Sequence, residues 1–403
     1  MRRFLLVCCL GLLGAPALAQ LPDSVSAHTQ VSLLTILPGE ALYAAFGHSA
    51  LRVHDPATGF DAVFNYGTFD FRDPLFLPKF AYGRLDYFLS VSPLAATLRG
   101  SRLEGRPVIE QVLNLSQEQV AALYRFLRIN ARPENRTYRY DFLFDNCSTR
   151  LRDVLATTLG PALRFAPQPD PGLSFRRLLD PYLADRPWID LGIDLLLGAS
   201  TDRTATPHEV MFLPDYLMTA FDHATVVQGE TARPLVARRD TLLVVPDYTP
   251  PAKAPAWPLW SFAALFAAGL AGTFRSARRP APEGTAGRWD VLLFAATGLV
   301  GCFMLFMWLG TEHHVTRWNA NLLWALPVHL PVAVLLWRGH FRGLRGYFIA
   351  AAAVTGVALA GALLDRPQDF HPATLPLILL LLLRCVWWSF RLRPAPRATA
   401  SPH

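Results

Sequence analysis

Cysteine is scarce in this chain, five in 403 residues, and its placement tells more than its number. Cys8 and Cys9 lie in the apolar stretch at the start, while Cys302 and Cys385 fall in long apolar runs near the C-terminus. Cys147 is left alone in water-soluble sequence, so a disulfide framework is excluded and one thiol needs a different explanation. No fixed period recurs along the chain, which excludes solenoid and propeller arrays. The pair His313 and His314 has no third ligand following at a useful spacing, so no metal site is expected there. No cofactor is implied.

What is present begins with MRRFLLVCCLGLLGAPALAQ: two arginines, an apolar run, then Ala-Leu-Ala. This is the pattern of a secretory signal peptide, residues 1–19, cleaved after Ala19. The distance from Cys8 and Cys9 to that site argues against a lipoprotein signal. The formal charge of +7, from 38 basic and 31 acidic residues, raises the question of nucleic acid. The basic residues gather in short loops beside apolar spans, where membrane topology accounts for them, and export removes most nucleic-acid roles.

Residues 20–248 have the composition of a globular domain large enough for a sizeable core. The Pro-rich stretch TPPAKAPAWP, residues 249–258, reads as a linker. Beyond it lie five apolar spans between 259 and 390, at Leu259–Phe274, Val291–Leu309, Leu322–Trp337, Tyr347–Leu364 and Leu375–Phe390, followed by a short tail, 391–403. Arginines follow the first, third and fifth spans, which places those segments in the cytoplasm and the N-terminal domain outside it. Arg384, inside the last span, is expected to snorkel toward the cytoplasmic face. The expected cellular address is the bacterial inner membrane, with the N-terminal domain in the periplasm.

Within the globular part, Val31–Leu37, Ala50–His54, Ala62–Asn65 and Val108–Leu113 read as strands. Ser116 and Gln119 form a capping box opening a helix to about Arg128. Further helices are predicted from Cys147 to Thr158, Phe175 to Leu183 and Glu209 to His223, and a hairpin or strand from Pro234 to Pro246. Mixed order of this kind gives an α+β domain, an antiparallel sheet with helices on one side, followed by an all-α membrane domain.

The thiol stands in YDFLFDNCSTRLRDVL, where a strand-like run turns into a helix. A helix start favours the thiolate through its unpaired N–H groups and dipole, with Asp145 as the expected N-cap. A buried, inert thiol is the ordinary alternative, but a lone thiol in an oxidising compartment is a liability unless it is used. A nucleophilic cysteine needs a base and an orienting group. His48, in AAFGHSALRVHD, is the candidate base, with His54 as rival in an expected exposed turn. Asn65, in AVFNYGTFDF, is placed to accept the His48 Nδ1–H bond from the next strand, although an Asn opening a turn reads equally well there.

A histidine on one strand, a polar residue on the next and a later cysteine at a helix start resembles the circularly permuted papain-like order of NlpC-type enzymes. More closely, FGHSALRV, NYGTFDF, KFAYGRLDYFLS, FLFDNCSTRLRD and the MFLPDYL segment resemble the periplasmic domain of the Lnb lipoprotein N-acyltransferase family. TEHHVTRWNANLLWALPVHL resembles its five-helix membrane domain. The resemblance implies Cys147 as nucleophile and His48 as base. It further implies a phospholipid acyl donor, an acyl-cysteine intermediate, and an apolipoprotein acceptor whose diacylglyceryl-modified N-terminal amine takes the acyl group. Arg150 matches the family's DNC-x-T-R-x-R-D pattern and is a candidate for holding a phosphate or oxyanion, against a surface ion pair as the plainer reading. His313, His314, Arg317, Asn319 and Asn321 are expected on the outer membrane face as substrate-binding residues, or as ordinary solvated loop residues. Two other functions use the same features: a membrane-tethered papain-like peptidase or amidase acting on cell-envelope peptides, and a non-catalytic assembly or lipid-binding protein.

Overall fold

The computed structural model describes residues 21–70, 73–166, 172–277, 287–364 and 368–393. The expected leader, residues 1–19, and most of the C-terminal tail lie outside these.

The N-terminal part runs β1 (Gln30–Ile36), β2 (His48–Asp55), β3 (Phe60–Thr68), α1 (Phe76–Tyr82), β4 (Asp86–Pro93), α2 (Leu94–Leu103), β5 (Val108–Leu113) and α3 (Gln117–Asn130). There follow β6 (Thr137–Arg139), α4 (Cys147–Leu159), β7 (Leu163–Arg164), α5 (Phe175–Leu183), α6 (Pro187–Leu196), α7 (Pro214–His223), β8 (Thr225–Gln228), β9 (Thr231–Pro234) and β10 (Val236–Leu243). Seven strands form one sheet in the order β10-β5-β1-β2-β3-β4-β6, antiparallel throughout, and β7-β8-β9 form a small second one.

Alternation along the strands decides what each face covers. Leu33, Leu51, Val53 and Phe64 pack with Leu123 and Leu127 of α3, Leu151 and Leu155 of α4, and Leu217 and Phe221 of α7. Leu34, Ala50, Val63 and Val108 point to the other face, where Leu94 and Leu98 of α2 cover them. Helices therefore lie on both faces, not one as expected. The reason is that β1, β2 and β3 carry apolar residues at both parities, and neither side can be left to water. The Glu209–His223 segment is divided: a 3₁₀ turn (Glu209–Phe212) ends before Pro214, whose ring opens α7 at its first position.

The C-terminal region holds α8 (Trp257–Ala277), α9 (Arg288–Leu309), α10 (His329–Trp337), α11 (Leu344–Leu364) and α12 (Thr374–Arg391). Among the described residues, four of these helices, α8, α9, α11 and α12, are long and apolar enough to cross a membrane. The third expected span, Leu322–Trp337, departs from the reading. It is a 3₁₀ turn (Ala320–Leu323), an irregular stretch through Pro327, and the nine-residue α10. Proline lacks the N–H that a continuous helix needs. The irregular stretch packs on α9 at Gly301 and the start of α10 packs on it at Gly298, where side chains are lacking; a Cβ at Gly301 would lie 2.0 Å from the Ala325 carbonyl oxygen.

Arg384 does not snorkel. It is buried, and its guanidinium donates to both Asp290 carboxylate oxygens at 2.7 Å and to the Thr273 hydroxyl at 2.6 Å, tying α12 to α9 and α8. An intramembrane charge is costly alone and becomes tolerable when paired and hydrogen-bonded in this way.

Candidate active site

Gly47 turns the chain into β2 at φ +78°, so His48 is the first strand residue. By parity with Ala50 and Val63, His48 and Asn65 share the α2 face of the sheet. The His48 Nε2 lies 3.4 Å from the Asn65 Oδ1. The strand order thus brings the two together, but through Nε2 rather than the expected Nδ1. The Asn65 amide nitrogen donates at 3.4 Å to the Val63 carbonyl and to the Ser92 hydroxyl, which fixes the orientation of its oxygen. His54 lies six residues farther along β2, about 20 Å away at strand spacing, and takes no part.

Cys147 is the first residue of α4 and half-buried. Asn146, not Asp145, caps the helix: its Oδ1 accepts from the Ser148 and Thr149 amides at 2.8 and 3.0 Å, and the Thr149 hydroxyl accepts from the Asn146 amide at 2.7 Å. Asp145 is committed elsewhere, to a backbone bridge with Asp141 and an ion pair with Arg150. Asn146 also donates to the Phe142 and Phe212 carbonyls, at 2.8 and 2.9 Å, so the cap is locked by the core.

Burial pushes the Cys147 thiol up, but the His48 charge and hydrogen bond, the Ser49 backbone N–H and the Ser148 hydroxyl outweigh it. The net result is a thiol lowered from 9.0 to about 7. Ser49 and Ser148 share a 3.0 Å hydrogen bond that fastens the start of α4 to β2 beside the sulfur. Neither serine stands out in the sequence, since buried hydroxyls carry no spacing signature.

The cap has a consequence for anion stabilisation. The Ser148 and Thr149 amides are already bonded to Asn146. The Cys147 N–H is the first-turn amide left for that task. Gly67 (φ +84°) faces it without a side chain; a Cβ there would stand 3.6 Å from the Cys147 Cβ and 3.9 Å from its nitrogen.

Arg150 is taken up by Asp145, with Nη2 2.6 Å from the carboxylate, and its guanidinium lies 4.0 Å from the centre of the Tyr138 ring. Arg150 is thus ion-paired, as in the plainer of the two expectations. The Tyr138 hydroxyl is buried, and burial and the nearby Cys147 raise its pKa.

The outer-loop residues divide. Asn319 and Asn321 are buried and spent internally: the Asn319 amide donates to the Leu195 carbonyl at 2.7 Å, and Asn321 accepts from the Trp324 indole at 3.0 Å. As substrate-binding residues they are corrected to structural ones, since a polar group buried in a membrane protein has to satisfy itself. The His313 Nε2 bonds the Phe80 carbonyl at 3.1 Å. His314 and Arg317 are exposed. Among the described residues, no group of three or more His, Cys, Asp or Glu is arranged for a metal ion.

A thiol and imidazole on an α+β domain, fastened to a bundle of apolar helices, define a membrane-anchored protein with a cysteine–histidine site. Residues 20–181 match the family model of the Lnb N-terminal periplasmic domain, and residues 252–393 match that of the Lnb transmembrane domain. No curated protein and no solved structure matches the chain. The chain belongs to the Lnb family, and is an integral membrane protein of lipoprotein processing with its N-terminal domain in the periplasm.

Proposed function

We propose that the protein is a cysteine-dependent lipoprotein N-acyltransferase of the inner membrane, with Cys147 as nucleophile, His48 as its acid–base partner and Asn65 as the group orienting His48. The observation that carries this reading is a thiol at the start of α4 beside an imidazole that favours its anion, on a domain fastened to apolar helices long enough to cross a membrane. A thiolate–imidazolium pair of this kind is suited to acyl transfer at neutral pH.

In the first step the Cys147 sulfur bonds to an ester carbonyl carbon of a phospholipid, and the Cys147 N–H receives the oxyanion in the space beside Gly67. The carbon–oxygen bond to the glycerol breaks, and the His48 imidazolium gives its proton to the departing alkoxide. In the second step the N-terminal amine of a diacylglyceryl-modified apolipoprotein attacks the thioester. His48 takes the amine proton, the carbon–sulfur bond breaks, and the thiolate returns. The papain-like description of the domain belongs to this proposal, as does the choice of donor and acceptor.

The test is mass spectrometry of a lipoprotein N-terminus from cells carrying the wild-type chain or Cys147→Ala. The N-acyl group is expected to vanish in the variant. Its persistence would overturn the proposal, and release of murein peptides by the wild-type protein alone would favour the peptidase reading.

A further inference from the structure

The proposed chemistry leaves α1 unexplained. It has no buried residue; Leu77 is 71% exposed, and Leu75, Phe80 and Tyr82 are exposed as well. Exposed apolar side chains gathered on one short element mark an interaction site rather than a solvated surface.

Its attachment says what covers it. The Tyr82 carbonyl accepts the Glu312 amide at 2.8 Å, the Phe80 carbonyl bonds the His313 imidazole at 3.1 Å, and Arg84 meets the Glu312 carboxylate at 2.8 Å. Gly83 lets the two backbones touch, because a Cβ there would lie 2.8 Å from the His313 nitrogen. Glu312 and His313 follow the last residue of α9 by three and four positions, so α1 is fastened where an apolar span ends. Phe306, Leu309 and Trp318 are also exposed near that end. An apolar element held at this depth meets the lipid boundary, where aromatic residues are favoured.

Behind α1, aromatic rings continue without a break toward the thiol. Phe80 and Phe76 have centroids 6.1 Å apart, Phe76 and Phe69 5.4 Å, Phe69 and Tyr87 5.2 Å, and Tyr87 and Tyr140 4.4 Å. Tyr140 and Cys147 both border the vacant Cβ position of Gly67. A cavity of about 280 Å³ opens along the first part of this run, walled by Phe76, Phe80, Tyr87 and Phe88 and by charges of both signs, among them Lys79 and Arg84.

We propose that α1 lies in the outer leaflet of the bilayer and that the ring run from Phe80 to Tyr140 is the route by which a phospholipid acyl chain reaches Cys147. The placement of α1 stands apart from the chemistry, whereas the route rests on the acyl-transfer reading.

Two measurements on the full chain in nanodiscs of phosphatidylethanolamine and phosphatidylglycerol test it. In the first, a spin label sits at Leu77→Cys in a Cys147→Ser, Cys302→Ser background. Collision with oxygen is expected to exceed collision with a water-soluble nickel chelate; the reverse order overturns the placement. In the second, intact mass follows acylation of Cys147 by nanodisc phospholipid and by p-nitrophenyl acetate. In Phe76→Ser the ratio of long-chain to two-carbon acylation is expected to fall about tenfold or more, since a hydrophobic passage discriminates chain length. An unchanged ratio, whether both rates fall together or neither does, overturns the route. A lipid-exposed label with no lipid acylation of the wild type leaves α1 in place, and removes the acyl-transfer reading and the route with it.

Discussion

Cys147 is set against its own burial by neighbours that favour the anion. Burial raises its pKa, and the His48 charge is the largest influence lowering it, ahead of hydrogen bonds from His48, Ser49 and Ser148. The sign of the pH dependence follows directly. Protonated thiol predominates below about 7 and thiolate above it, so alkylation of Cys147 by iodoacetamide is expected to rise through pH 7 and level off beyond. In His48→Ala the burial cost remains while the main compensation is lost, so the inflection moves up and the rate at pH 7 drops roughly tenfold or more. Stopped-time alkylation read by intact mass measures both. A His48→Ala profile superimposed on the wild type would remove the thiolate–imidazolium pair from the account.

At the scale of elements, glycine contacts decide how closely segments approach. Gly301 sits in α9 against backbone, its absent Cβ 2.0 Å from the Ala325 oxygen, whereas Gly272 in α8 has nothing within 4 Å of that position. Gly301→Ala is therefore expected to lower stability by about 1–3 kcal/mol through overpacking. Gly272→Ala should raise it by up to about 1 kcal/mol through helix propensity. Thermal unfolding in detergent checks the pair, and equal shifts would sink the packing argument. The same local contacts mark the limits of what the sequence discloses. The strands around His48 and Asn65 are legible because alternating apolar residues fix them, and the Ser116–Gln119 capping box is legible because it is a local pairing. Asn146 and Thr149 carry the same kind of signal, but Asp145, one residue earlier, is an equally good cap until its partners Asp141 and Arg150 are seen in space. The short α1 and the broken third span are hidden for another reason. Each depends on a surface contributed by a distant segment, the Glu312 loop for α1 and α9 for the stretch before α10.

The whole molecule is organised so that the site cannot turn freely over the membrane. The Gly198 amide donates to the Val315 carbonyl at 2.7 Å, the Gln368 amide to the Leu197 carbonyl at 3.1 Å, and His371 meets the Asp190 carboxylate at 3.3 Å. Trp318 holds φ +57°, an unusual backbone state for a bulky residue, while its carbonyl accepts the Ala199 amide. Asn319 is the centre of this seam: it donates to the Leu195 carbonyl, accepts from the Asn321 amide and is itself buried. Asn319→Ala leaves that carbonyl and that amide without their partner, at a cost of about 1–3 kcal/mol each where water cannot replace it. The cost falls on the seam and not on the sheet or α4. Hydrogen exchange in nanodiscs is therefore expected to quicken in α6 and in residues 311–323, while the alkylation profile of Cys147 keeps its inflection near 7. Unaltered exchange in α6 would show that the domains are held by other contacts. A displaced Cys147 profile would show that the seam reaches the thiol itself, and the periplasmic domain would then depend on the membrane helices for its chemistry as well as for its position.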